Sequence, residues 1–597
     1  MRPRRVLELA AATAWSALAV GAVARLADVG GVTLGDLVPR VSIGPALALL
    51  GAVSATHARG GRGAVRGGPV GTALLAVLVA LALFGAVDPR VARRRAVALA
   101  AAAALLPLIA ALLARPRRAT LAAMALATGL GALWIVARWD GAPTRTSLPP
   151  IDVAPAPAGA PSLLIVTLET TRVDAVGCYG QERSVTPRID ALAADGHVFL
   201  DATASAPHTH PSIASLLTAR TPIEHGSVSG APFLANDVTT LAEHVRAHGY
   251  ATAGFLDNPW LGDEFGLARG YEHLERRTDP ARVEAWLDRV GDRPYLLHVH
   301  LFHPHGPYEL RPDELEALGG SAADATVRAR VGRRIGAGTI RAGEVPGRHS
   351  FDDEELEWVR DIYLSEVRAM DAVVGALLDL VGPDAVVAIA ADHGEEFGER
   401  GSLHHSHTLF QELVHVPLLL RAPRLQASEE LRVGGRIEAP VGLIDVAPTL
   451  LEVAGLPPLP HAAGRSLAPL LRGEVSAPRP AVTQRIAHAG LRDLVAIRDG
   501  RWKLHVRATR GDWSDELRTP SDLALFDLSA DPGETRDLSA EEPEVVARLL
   551  EALDAWRSAA AERSAASRGS ALPLNEAGPR RVSPAVRSEL RALGYAR

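Results

Sequence analysis

The chain has 597 residues, too many for one ordinary domain, and a formal net charge of −6 that argues against a surface built for nucleic acid. Its one cysteine, Cys178, excludes a disulfide framework and a Cys-type zinc site. Compartment therefore has to be read from the hydrophobic segments.

Residues 1–140 are the apolar part and are predicted to form a transmembrane helical region. Weakly polar runs cover Val6–Leu26, Val41–Ala55, Pro69–Val87, Ala96–Ala114 and Ala119–Ala137. Most reach the ~20 residues needed to cross a bilayer core. A cleavable signal peptide accounts for the first run only. With about five spans, three arginine clusters fall in the cytoplasm: Arg2, Arg4 and Arg5; Arg59, Arg62 and Arg66; Arg115, Arg117 and Arg118. The rest of the chain then lies in the periplasm or outside the cell. Arg90, Arg93, Arg94 and Arg95 fall on the opposite side, and a four-span arrangement would reverse the domain's location. Residues 141–161, rich in Pro and Ala, read as an extended linker.

From Ser162 onward, short apolar runs alternate with helical stretches, which predicts an α/β fold with a largely parallel sheet. Leu163–Leu168, Tyr295–Leu301 and Ala385–Ala390 are the clearest strands, and Asp353–Val381 has a helical period. Ligands in such sheets gather beyond the carboxyl ends of the strands. Glu169 stands there after the first strand, His303 and His305 after the second, Asp392 and His393 after the third. Asp352–Glu355 reads as an acidic first helical turn, and Glu395, Glu396 and Glu399 as a solvated face. Pro312–His349 fits either a lid or a surface insertion. Farther on, Asp499-Gly500 marks a hairpin within Ile497–Leu504, and Val545–Arg557 reads as helix.

The stretches VTLETTRVDAVGCYG, TPRIDALAADGHVF and SAPHTHPSIASLLTARTPIEHG resemble the start of a bacterial sulfatase-type domain. HLFHPHGPY, YLSEVRAMDAVVGALLDLV, ADHGEEFGERG and HSHTLFQELVHVPLLL resemble its continuation, in the family's order. VAIRDGRWKLH, LALFDLSADPGETRDL and ELRALGYA carry the resemblance to the end of the chain. It implies an alkaline-phosphatase-like sulfatase domain whose main part covers residues 162–437. Residues 438–597 would complete that domain and add a small C-terminal α+β subdomain.

The family's nucleophile lies in a Cys/Ser-x-Pro-Ser-Arg motif whose first residue is oxidised to formylglycine. The matching residues here are Thr209-His210-Pro211-Ser212-Ile213. Threonine is not a substrate for that oxidation, so no formylglycine is expected, and Thr209 resembles the nucleophile of superfamily members that move phosphoryl groups. Read without the family, Thr209 is an N-cap for the helix implied by Ser212–Thr218. The resemblance places one divalent metal on Glu169, Thr209, Asp392 and His393. Sulfatases commonly have an Asp pair where this chain has Glu169-Thr170, and the set is closer to that of lipoteichoic acid synthases. An imidazole in the shell moves the preference from calcium toward manganese or zinc, with magnesium possible. His305 matches the histidine that contacts the scissile ester oxygen and is the candidate general acid. His225, His407, His303 and His405 are candidate substrate-binding residues, each equally readable as a structural hydrogen-bonder.

Three functions remain open on the sequence. The first is a membrane-anchored, metal-dependent hydrolase of sulfate or phosphate esters. The second is a transferase that moves phosphoglycerol or phosphoethanolamine from lipid to envelope glycan or lipid. The third is an inactive membrane scaffold. The bilayer and a small anionic ester, glycan or lipid are the expected partners, and nucleic acid is not.

Overall fold

Every residue of Leu163–Leu168 is buried, as expected of a strand covered on both faces. This strand, β1, belongs to a computed structural model that describes residues 154–570 except 229–231, 322, 324, 337–350, 424–434, 476–478, 487–492 and 509–521, together with 582–583, 586–587 and 590. The predicted membrane spans lie outside the described residues. Among the described residues, no helix is long and apolar enough to cross a membrane.

The remaining strands of the central sheet are β2 (His197–Phe199), β3 (Ala251–Leu256), β4 (His273–Glu275), β5 (Tyr295–Leu301), β6 (Val386–Ala391), β7 (Leu418–Arg421) and β8 (Gly435–Ile437). Their spatial order is β8-β2-β7-β6-β1-β5-β3-β4. Only β7 runs against its neighbours, so the sheet is mixed but largely parallel. β1 and β5 span the ranges expected from sequence, and β6 is shifted by one residue. Four parallel strands, β6, β1, β5 and β3, lie side by side and end at one edge of the sheet.

Helix α1 (Thr209–Thr218) is buried along its whole length. Helix α2 (Asp353–Val381) buries Trp358, Ile362, Met370, Val374 and Leu377 on one face, the stripe that a 3.6-residue period produces. Its start is a capping box in which Asp352 accepts from Glu355 N at 2.9 Å and Glu355 accepts from Asp352 N at 3.2 Å. The candidate lid is helical in part. Pro312–Ala317 and Ala325–Gly336 are helices, with Val327 and Val331 buried and Arg330 paired with Glu355 at 2.9 Å. An apolar face packs this segment onto the domain, while 337–350 lies outside the described residues.

The core continues through Leu471, after which the chain forms an antiparallel sheet of β9 (Ala481–Arg485), β10 (Asp493–Asp499), β11 (Trp502–Ala508) and β12 (Leu523–Asp527). The predicted hairpin is present. Asp499 pairs with Trp502, so the turn is Gly500-Arg501, and Gly500 takes the left-handed φ of 57° that a two-residue connection favours. Helix α3 (Pro543–Ser570) places Val546, Leu549 and Leu553 on this sheet.

A buried polar latch joins the two parts. Lys503 Nζ donates to Leu409 O at 2.7 Å and lies 3.0 Å from Glu534. Glu534 accepts from Gln411 N at 2.7 Å and contacts His505 at 2.8 Å. Burial pushes the Glu534 carboxyl up, but Lys503 and His505 outweigh it and hold the group at about 2. Burial also pulls Lys503 down, so desolvation offsets part of the pair's attraction.

A folded-state value below the ordinary one means that Glu534 contributes stability at neutral pH, lost as pH falls from about 4.5 toward about 2. Glu534→Gln should therefore cost about 3 kcal/mol near neutrality, as for a broken buried pair. Denaturant melts should show the gap to wild type closing through that acid window. A gap independent of pH would remove the latch from the stability account.

Candidate active site

The parallel register brings the site together. Leu168 pairs with Leu301 on one side and Ala391 on the other. The ladder continues one residue further, with Glu169 N donating to Leu301 O and Asp392 N to Leu168 O, both at 3.1 Å. Glu169 and Asp392 are thereby fixed side by side, each 0 % exposed. Thr167 faces His300 across the strands, and one residue pair farther along that face His300 Nε2 meets Glu169 Oε2 at 2.6 Å. Asn258, just past β3, donates to the same Glu169 oxygen at 2.8 Å.

Thr209 completes the set from α1. His208 is the N-cap, extended at φ −159°, and Thr209 is the first helical residue. Its hydroxyl therefore does not cap the helix as the sequence alone suggested. It donates instead to Glu169 Oε1 and lies 3.4 Å from His393 Nε2. His393 Nδ1 contacts the Gly394 carbonyl at 2.9 Å, and a carbonyl only accepts. The proton thus sits on Nδ1, and Nε2 turns its lone pair toward Thr209 and toward Asp392 Oδ2 at 3.5 Å.

These surroundings pull the two carboxylates apart electrostatically. Burial raises both. For Glu169 the hydrogen bond and charge of His300, helped by His305 and His393, outweigh burial and hold the group well below the carboxylate range. For Asp392 the charge of Glu169 adds to burial, and the group is pushed well above it. Asp392 Oδ1 accepts from Thr170 N at 3.0 Å and His393 N at 2.8 Å. Its Oδ2 is buried with no hydrogen-bond partner among the described residues. Atoms of Glu169, His300 and Asp392 lie within 4.8 Å of one another. An orphaned carboxylate oxygen, an imidazole lone pair and a hydroxyl converging on one point form an acceptor-rich set that fits a divalent cation. Thr170, in the turn that follows β1, takes a left-handed φ of 47°.

Other predicted residues fall into two groups. His305 and His405 join the site: their rings are 5.0 Å apart, and His405 lies 4.4 Å from the His393 ring. Burial lowers both histidines, against the pull of Glu169. His225 is buried with its two nitrogens engaged by Ser215 at 3.0 Å and by Ser227 N at 3.1 Å. His303 sits 3.3 Å from Glu366. His407 donates toward Glu396 at 2.8 Å, and that carboxylate, outweighing burial, raises it.

Glu395 and Glu396 are not a solvated face, since both are 0 % exposed. The segment folds as a small hairpin, 396–397 against 403–404, which turns Glu395 onto His405 at 3.0 Å and Tyr308 at 3.0 Å. Glu399 instead pairs with Arg172 at 2.8 Å and Arg360 at 3.0 Å. Sequence reading missed His300, Asn258 and Glu395. The signal for His300 was the period-2 alternation in YLLHVHL, which puts His298 and His300 on one face. Behind His300, Thr167 contacts His300 Nδ1 at 2.8 Å and His298 at 3.0 Å, and Tyr271 contacts His298 at 2.7 Å. Glu169, with Asp392, outweighs burial and raises His300, so it acts as a buried counter-charge to Glu169.

His300→Gln should destabilise the metal-free chain by about 3 kcal/mol, the cost of a broken buried pair. Adding manganese should then raise Tm more in the variant than in wild type, because the cation replaces the missing charge. A smaller rise would make His300 a metal ligand instead.

The sulfatase family model matches residues 161–456. Choline-sulfatase of Rhizobium meliloti is 24% identical over 472 residues, covering 64% of this chain and 83% of that protein. Human arylsulfatase A is 25% identical over 503 residues, covering 69% and 90%. Among solved structures, the phosphonate monoester hydrolase of Agrobacterium radiobacter superposes with a TM-score of 0.54 at 19% identity, covering 68% of this chain and 96% of that one. A protein solved with its substrate D-glucosamine-2-N,6-O-disulfate gives 0.55 at 17% identity, covering 68% and 98%. Over residues 161–456 the chain belongs to the sulfatase family of the alkaline-phosphatase superfamily.

Proposed function

We propose that the protein is a membrane-tethered ester hydrolase in which Thr209 attacks a phosphate or phosphonate ester directly. The observation that carries this reading is the buried Thr209 hydroxyl, bonded to Glu169 and flanked by His393 at the start of α1. The relatives named as sulfatases support ester hydrolysis, and the threonine favours phosphorus over sulfur. A phosphothreonine is opened by in-line attack of water. A sulfothreonine would be an unreactive alkyl sulfate, without the second hydroxyl by which a formylglycine hydrate expels sulfate.

A divalent cation held by Glu169, Asp392, His393 and Thr209 would supply charge neutralisation and hydroxyl activation. The protein's own residues do the rest. The first turn of α1 presents backbone N–H groups and a positive dipole end to the ester anion. Glu169 accepts the hydrogen bond of the Thr209 hydroxyl and orients it, and the hydroxyl proton passes to water as the oxygen–phosphorus bond forms. The bond to the leaving alcohol breaks in line, and His305, once protonated, delivers a proton to that oxygen. The Glu395–His405 pair stands beside His305 and fixes the ring that packs against it. Water then displaces Thr209 from phosphorus and the hydroxyl is restored.

The apolar runs of residues 1–140 support a multi-pass anchor with the domain outside the membrane. Among the alternatives, the C-terminal antiparallel sheet favours a hydrolase over the lipid-donor transferase.

Thr209→Ala should lower kcat on aryl phosphate or phosphonate esters by several orders of magnitude, about 10³-fold or more for a lost covalent nucleophile. Mass spectrometry of quenched wild-type enzyme should show phosphate or phosphonate on the peptide containing Thr209. Near wild-type turnover in the variant, with Thr209 never modified, would point to direct attack by water. For the anchor, an alkaline-phosphatase reporter fused after Trp139 should be active, and an inactive one would place the domain in the cytoplasm.

A further inference from the structure

A cavity of about 550 Å³ opens between the loop carrying His407 and the C-terminal sheet. Arg485, Arg507 and His407 line it, with Phe410 and Leu494 as apolar wall and Asp522 and Asp537 as acidic groups. Asp537 is already committed, accepting from Leu525 N at 3.0 Å and Ser539 N at 2.8 Å. Arg485 has Asp493 as its attractive charged neighbour, and burial lowers its guanidinium.

The cavity is coupled to the nucleophile by backbone. Gln484 N donates to Ser205 O at 2.9 Å and Thr483 Oγ1 to Ala204 O at 2.8 Å, so β9 is tied to the segment that leads into Thr209. Ser406 N donates to Pro207 O at 3.0 Å, which ties the His407 loop to the same segment. The cavity is thus built on two segments bonded to the stretch that leads into Thr209, and it has a half-buried guanidinium and apolar side chains on its wall.

We propose that this cavity binds a second acidic group on the alcohol portion of the substrate, with Arg485 as its principal partner and Arg507 at the rim. The preferred esters are then those whose leaving alcohol bears a carboxylate, sulfate or phosphate on a compact spacer. The inference rests on the ester site assigned to Thr209.

The test compares phenyl phosphate with 4-carboxyphenyl phosphate on the full chain with manganese. In Arg485→Ala, kcat/KM for the carboxylated ester should fall at least about tenfold more than for phenyl phosphate, as for a lost charged hydrogen bond. The loss should lie mainly in KM, and Arg485→Lys should recover part of it. Equal losses on both esters overturn the inference. If wild type turns over neither ester, the proposed chemistry fails and the cavity is judged by equilibrium binding of 4-carboxyphenyl phosphate. Binding at least tenfold weaker in Arg485→Ala supports it, while equal binding, or none to wild type, overturns it. Should Arg485→Ala melt well below wild type, Arg507→Glu at the exposed rim must show the same selective loss, and its absence counts against the cavity.

Discussion

Two carboxylates buried side by side cannot both be ionised without positive charge close at hand, and Glu169 and Asp392 are held in that position by backbone hydrogen bonds rather than by choice of rotamer. The resolution is visible in what surrounds them. His300 and Asn258 hold Glu169 ionised, backbone N–H groups satisfy one oxygen of Asp392, and its other oxygen lies 3.5 Å from His393 Nε2. A divalent cation held there would relieve the repulsion between the two carboxylates.

That constraint explains why so much of the molecule is polar at depth. Thr167, His298 and Tyr271 continue the hydrogen-bonded chain from His300 into the sheet, and each is fully buried. Such a chain is stable only when every member is paired, and it leaves the His300 ring a single orientation. Glu395 does the equivalent for His405 from the opposite side. The Lys503–Glu534 latch then fixes the loop that follows His405 against the C-terminal sheet. The C-terminal subdomain is thus tied to the loop that follows His405.

The family's fold is retained. Thr209 stands at the start of a buried helix, where an anion is favoured, and Ile213 replaces the family's arginine and packs into the core at 0 % exposure.

The sequence by itself determined the strands and helices whose pattern is strong and local. Leu163–Leu168, Tyr295–Leu301 and Asp353–Val381 are legible because uninterrupted apolar runs and a 3.6-residue stripe leave few alternatives. Resemblance to the family's motifs also pointed to Glu169, Asp392, His393 and Thr209, which the structure brings close together. Only the tertiary structure decided which polar side chains are buried and with whom. Glu395 and Glu396 look solvated in a polar stretch, yet a small hairpin turns them inward. His225 looks like a pocket residue, yet both its nitrogens are taken by serine and backbone. His300, hidden within a strand, reaches Glu169 because β5 lies parallel to β1 in one register, and pairing between distant segments leaves no mark on the local sequence of either.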